Sequence, residues 1–346
     1  MSTTIEHFLT PGAAHAASAF AACSYVGVLY LFPSCRTRPL ETDQEGRRLD
    51  RLHPVILKAR LWAVSVSCFF SLLLVAVLAG ACSDTPLPSS SIGETLHRTL
   101  VLTGLETRQI HSTLEHIRLL IQPVILTAIL YLGAIYTDVV LEPKKRTGDE
   151  GPSSGRLKEI INIYVVRALI LGPLYEEIVF RGCILAFHSL VSPADQLSKT
   201  KLIFSTPLWF GFAHVHGVWE TYRTLGGGKK ALMIATIQST FQFIYTTIFG
   251  WYAAFVFLRT GSVISATLCH SFCNYMGLPP ILESMKRFPN KRIAIAFYYL
   301  GGMGAFGYLL QRWAVDPALF PSNSSFWTTR TVADGKNRPW ICRMSE

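Results

Sequence analysis

The sequence predicts an all-α fold: a polytopic bundle of about eight membrane-spanning helices, with a polar site held inside the membrane near one face. Three observations carry that expectation. The chain has 346 residues, 50% of them hydrophobic and only 16% charged, and its mean hydropathy is positive. The apolar residues collect into runs of about 16 to 25 rather than into amphipathic stripes, which is the length that crosses a bilayer core. Lys and Arg then alternate between rich and poor loops, as the positive-inside rule requires of a multi-pass protein.

The runs fall at 14–32, 61–82, 117–141, 161–190, 202–217, 231–258, 261–282 and 293–314. Nineteen Lys and Arg lie in 33–60, 142–160, 218–230 and 285–292, against five in 83–116, 191–201 and 259–260. The rich loops are therefore expected in the cytosol and both termini on the far side. Residues 1–13 hold no Lys or Arg, so the first run reads as a retained anchor rather than a cleaved signal. The sequon Asn323-Ser324-Ser325 would then face the lumen.

This placement explains the net charge of +10 and argues against nucleic-acid binding, while an excess of loop cations suits contact with anionic lipid head groups. The eight Cys show no Cys-x-x-Cys pair and no zinc spacing, and read as small buried hydrophobes. Residues 1–141 are expected to form anchor spans and loops, 142–158 a turn-rich cytosolic linker, 159–314 the working membrane domain, and 315–346 a polar tail. Gly301, Gly302, Gly304 and Gly307 would let the last helix pack closely on a neighbour.

Inside the apolar runs stand polar residues that are expensive at membrane depth and so mark a working site. The first group is Glu176-Glu177 with Arg181, the second His214 four residues after Phe210, the third His270 with Asn274. On a helix Glu177 and Arg181 are four apart, in the favourable acid-before-base order, and read as a bracing ion pair. Glu176 points about 100° away from that pair, placed for general-base work. His270 and Asn274, one helical turn apart, can both donate hydrogen bonds toward one point, as a developing oxyanion needs.

Gly172-Pro173 is expected to break the helix over 161–190. Otherwise a straight helix from residue 161 would carry Glu176 roughly 22 Å deep, far from His214. With a span beginning near Leu174, the two share one level close to the cytosol. Ser- and Cys-nucleophile arrangements, a phosphate loop and His-Glu-x-x-His are all absent from the sequence. Glu176, His214 and His270 could together ligate zinc, but each comes from a different helix, and no cofactor or metal is the expectation.

In that order and spacing, Glu-Glu-x-x-x-Arg, Phe-x-x-x-His and His-x-x-x-Asn resemble the ABI family of intramembrane proteases. The stretch from Phe249 to Pro279, with Leu258-Arg259-Thr260-Gly261 and Cys269-His270-Ser271-Phe272-Cys273-Asn274, is similar to the eukaryotic Ras-converting type II CAAX prenyl endopeptidases. Two positions depart from that pattern: Ala168 stands after Arg167 where Asn is expected, and Gly217 after His216 where a second His is usual.

The resemblance implies a peptidase of the endoplasmic reticulum membrane, open to the cytosol. It would remove the last three residues from proteins bearing a prenylated C-terminal Cys-a-a-X. Carried over by position, Glu176 activates water, His214 helps hold it, His270 and Asn274 stabilise the oxyanion, and Glu177 with Arg181 braces the site. A transporter or proton pathway could use the same acids and histidines, but would predict related halves, and none is visible. A non-catalytic relative would be expected to have lost a core residue.

Overall fold

The computed structural model describes residues 8–82, 92–107, 112–142 and 162–316. The expected all-α architecture forms: helices joined by short turns, with a single two-stranded ribbon among the described residues. Five helices are long and apolar enough to cross a membrane: Pro11–Leu31, Pro54–Ala81, Thr113–Leu130, Gly228–Thr260 and Pro289–Val315. The other three expected spans are helical but short or segmented, so length and composition do not establish a count of eight. Run 202–217 becomes Lys199–Ser205 and Pro207–His214, jointed at the proline, and run 261–282 becomes Val263–Met276, closed by Gly277 at φ 65°. The expected linker beyond residue 142, the tail beyond residue 316 and the Asn323 sequon lie outside the described residues.

Run 161–190 corrects the expectation most sharply. Gly172-Pro173 does not break it: Ile163–Val166, Arg167–Leu171, Gly172–Glu177, Ile178–Cys183 and Ile184–Ser189 follow one another as helix without interruption. The second and fourth pieces are wider π turns. The Gly172 N–H donates to the Arg167 carbonyl five residues back, and a Cβ on Gly172 would stand 2.6 Å from that oxygen. The glycine thus admits the wide turn, and the helix runs on through the proline without ending.

Packing divides the chain into two compact units. The first comprises the described parts of 1–109 together with 174–263. Its Pro11–Leu31 helix buries Ala14, Ser18, Ala21 and Ala22, a small-residue face at helical spacing. That face lets the helix lie close against Pro54–Ala81 and Ile184–Ser189. Around it the core gathers Phe180, Ile184, Phe187, Phe210 and Phe257. Helix Pro207–His214 seats on Gly228–Thr260 through Gly211, where a Cβ would collide with Thr247 Oγ1 and come within 2.9 Å of the Phe243 ring.

The second unit comprises the described parts of 110–173 together with 264–322. Arg292–Val315 packs on Thr113–Leu130 and Leu132–Ile135 around Tyr131, Ala134, Ile295 and Tyr299. Of the expected glycine seam, only Gly302 lies at a close approach, with a Cβ there 2.6 Å from the Ile129 carbonyl oxygen. Gly301, Gly304 and Gly307 face open space, so the close approach is a point rather than a stripe.

The charged loop 33–60 holds the element that periodicity missed, an antiparallel ribbon of Arg38–Thr42 with Arg48–Leu49. Asp43 ties its turn, accepting from the Glu45 and Arg47 backbone N–H groups at 2.9 and 2.8 Å, from Arg47 Nε at 2.8 Å and from His53 Nε2 at 3.0 Å. The His53 and Arg47 donors hold the Asp43 carboxyl well below the usual carboxylate range. A lowered folded-state value means the contribution is complete above the ordinary carboxylate pKa of about 3.9 and fades as pH falls below it. A spin label on residue 44 should therefore stay immobile through the ordinary carboxylate range, to about pH 4, and loosen only well below it, as the Asp43 carboxyl itself protonates. In Asp43→Asn it should be mobile throughout, and a label indifferent to both acid and substitution would contradict this assignment.

Candidate active site

Glu176 and Glu177 close the Gly172–Glu177 turn, and the backbone then widens into the π turn Ile178–Cys183. Arg181 lies inside that turn, four residues from Glu177. Its Nη1 donates to Glu177 Oε1 at 3.0 Å, and both side chains are fully enclosed, 1% and 0% exposed. The expected ion pair therefore exists, and it is buried. A buried pair requires good geometry and further partners, because both ions lose their water.

The further partners are aromatic. The Arg181 guanidinium carbon lies 4.4 Å from the centroid of Phe210 and 5.7 Å from that of Phe249. Arg181 Nε and Nη2 find no hydrogen-bond acceptor among the described residues, so the negative ring faces stand where acceptors would. Gly250 keeps the space open: a Cβ there would come within 3.3 Å of Arg181 Nη2 and 2.6 Å of Pro207 Cβ. Phe180 adds its edge to Phe210 at 5.1 Å.

Phe210 also sets His214. The imidazole stands edge-on to the Phe210 ring at 4.6 Å, and its Nδ1 lies 2.8 Å from the Phe210 carbonyl oxygen. A carbonyl only accepts, so Nδ1 carries the proton and Nε2 is the acceptor of the singly protonated ring. One phenylalanine thereby connects the brace to His214, with the guanidinium on its ring and the imidazole on its edge and carbonyl. His216 instead donates to the Ala213 carbonyl through Nδ1, at 2.6 Å, and packs edge-on near Tyr30, a structural role.

Glu176, half-buried, shares the first unit with Glu177, Arg181 and His214. His270 and Asn274 belong to the second unit, on one face of Val263–Met276, the first buried and the second exposed. Asn274 Nδ2 donates to the Ala168 carbonyl at 2.9 Å. Among the described residues, no three His, Cys, Asp or Glu side chains converge within either unit in a manner suited to a metal. Phe210 and Phe249 are the site residues that sequence reasoning missed. The signal for Phe210 was its place four residues before His214, while Phe249 carried none beyond an apolar run.

Chemically, the first unit offers two groups that can accept hydrogens from water, the Glu176 carboxylate and His214 Nε2. The second offers donors on His270 and Asn274. Acceptors that activate water and donors that stabilise an oxyanion are the two halves of acyl hydrolysis.

Comparison with known proteins places the chain among named relatives. A sequence model of the type II CAAX prenyl endopeptidase Rce1-like family matches residues 159–276. CAAX prenyl protease 2 of Homo sapiens is 32% identical over 314 residues, covering 87% of this chain and 80% of the human protein. Probable CAAX prenyl protease 2 of Schizosaccharomyces pombe is 32% identical over 289 residues, 82% of this chain and 88% of the yeast protein. CAAX prenyl protease 2 of Saccharomyces cerevisiae is 28% identical over 269 residues, 76% and 80% of the two chains. No solved structure matches the chain significantly.

Arg181→Met should destabilise the protein by about 3–5 kcal/mol, because it removes the cation from beside a buried carboxylate. Thermal unfolding in detergent measures this. Adding Glu177→Gln to Arg181→Met should recover part of the loss, and a double variant as unstable as the sum of the singles would refute the coupling.

Proposed function

The chain belongs to the type II CAAX prenyl endopeptidase (Rce1-like) family, and we propose that it performs this family's peptidase reaction through the six residues described above. It is a membrane protein and a CAAX endopeptidase; prenylated proteins ending in Cys-a-a-X are its substrates. The proposed reaction hydrolyses the peptide bond after the prenyl-cysteine and releases the last three residues as a free peptide.

In this reading a water donates one hydrogen to the Glu176 carboxylate and the other to His214 Nε2. Its oxygen attacks the carbonyl carbon after the cysteine as Glu176 takes the proton. The negative charge that develops on the carbonyl oxygen is met by donors from His270 and Asn274. Glu176 then passes its proton to the departing amine, and the bond breaks. Glu177 and Arg181 do not touch substrate; through Phe210 they hold the helical turn and His214 in place.

The observation that carries the reading is the hydrogen bond that His214 Nδ1–H donates to the Phe210 carbonyl, which leaves Nε2 as the acceptor of the ring. An imidazole fixed in that tautomer can hold water for a base but cannot donate to an oxyanion with the same nitrogen. This divides the labour between the two histidines. The prenyl chain would remain in lipid while the peptide reaches the aqueous cytosolic face, in the endoplasmic reticulum membrane, consistent with loops rich in Lys and Arg on that side.

Membranes carrying the chain should cleave a farnesylated Cys-a-a-X peptide, and Glu176→Gln should lower kcat by about 10²–10⁴. A wild-type chain that leaves the peptide intact would overturn the reaction. Undiminished cleavage by Glu176→Gln would overturn the choice of base, and inhibition by a chelator would reinstate a metal.

A further inference from the structure

We propose that Pro173 is a positioning residue for Asn274: by lacking an N–H, it leaves the Ala168 carbonyl available to orient the Asn274 amide. This rests on the oxyanion role assigned to Asn274 above and adds the device that aims it.

The argument begins with the π turn at Arg167–Leu171. Gly172 N–H bonds to the Arg167 carbonyl, five residues back, and so sets the local register. In that register the next donor, the N–H of residue 173, would bond to the Ala168 carbonyl. Residue 173 is proline and has no N–H. The carbonyl left over is the one that Asn274 Nδ2 reaches, at 2.9 Å. All three residues lie in the same compact unit.

Side chains of neighbouring helices commonly take up carbonyls freed by proline in apolar surroundings. Here the taker is itself a proposed active-site donor, and the bond fixes it. A carbonyl accepts only, so the Asn274 amide must face it with Nδ2 and not Oδ1. One Nδ2 hydrogen is spent on Ala168 and the second is held in a set direction, available to a developing oxyanion. An amide free to turn would present its oxygen half the time, and an oxygen beside an oxyanion repels it. An N–H at position 173 would draw the carbonyl back along the helix axis and away from Asn274.

The consequence separates positioning from structure, because alanine suits a helix better than proline. Pro173→Ala should hold or raise the thermal midpoint and yet lower kcat on a farnesylated Cys-a-a-X peptide by about tenfold to a hundredfold, with KM nearly unchanged. A residue with a merely structural role would move stability and rate together. In an Asn274→Ala background, Pro173→Ala should have no further effect on kcat. Replacing residue 173 by the α-hydroxy acid analogue of alanine, which puts an ester oxygen where the N–H would be, should return the rate toward wild type.

Wild-type kcat in Pro173→Ala, or a loss that adds fully to that of Asn274→Ala, overturns the positioning role and leaves the peptidase reading intact. An ester analogue as slow as Pro173→Ala overturns it as well, since the N–H would then not be the cause. Full activity of Asn274→Ala overturns the oxyanion role itself, and the inference falls with it.

Discussion

A fully buried guanidinium is the constraint around which the first unit is arranged. Arg181 has lost its water, and a desolvated cation is tolerated only where charge and polarisable surface replace it. Glu177 supplies the charge from one turn back on the same helical stretch, and Phe210 and Phe249 supply ring faces from two others. Each of those demands fixes a neighbour. Phe210 cannot leave Arg181 without uncovering it, so the helix Pro207–His214 is held, and with it the tautomer of His214. Gly211 and Gly250 are small because two helices must come this near. The contacts that stabilise this unit also set the geometry proposed for catalysis, with Glu176 adjacent to the brace but outside it.

The second unit solves a different problem with similar means. A proline inside a helix leaves a carbonyl without its donor, which apolar surroundings penalise. The chain answers with a wide turn, a glycine that admits it, and an asparagine amide that takes up the released oxygen. Both units thus satisfy a polar group that should be costly, and in both the satisfying contact fixes a residue proposed to act on substrate.

For chemistry on a lipid-linked peptide this economy has a physical logic. Water activation and oxyanion stabilisation both need preorganised dipoles, and these act more strongly where bulk water is excluded. Every group so placed must also be partnered, or it would destabilise the fold that carries it. A brace shared between ion pair and aromatic rings, and a donor held by an orphaned carbonyl, meet both requirements without adding net charge.

The sequence by itself determined the class of the fold and singled out the residues proposed to act on substrate. Apolar length forces helices, since a backbone in lipid must satisfy its own hydrogen bonds. The cost of Glu176, His214, His270 and Asn274 at such positions marks them without any structure. Spacing alone also paired Glu177 with Arg181, because four residues along a helix is a fixed geometry. Tertiary structure decided what spacing cannot encode. Gly172-Pro173 reads locally as a break, and only packing could turn it into a wide turn whose free carbonyl is answered from a hundred residues away, by Asn274. Phe249 reads as one more apolar residue until it lies beside Arg181. The ribbon at Arg38–Leu49 depends on one aspartate collecting four donors, a matter of direction rather than of hydrophobic period. Periodicity reports which face of an element is apolar; it is silent on which polar group elsewhere in the chain will come to meet it.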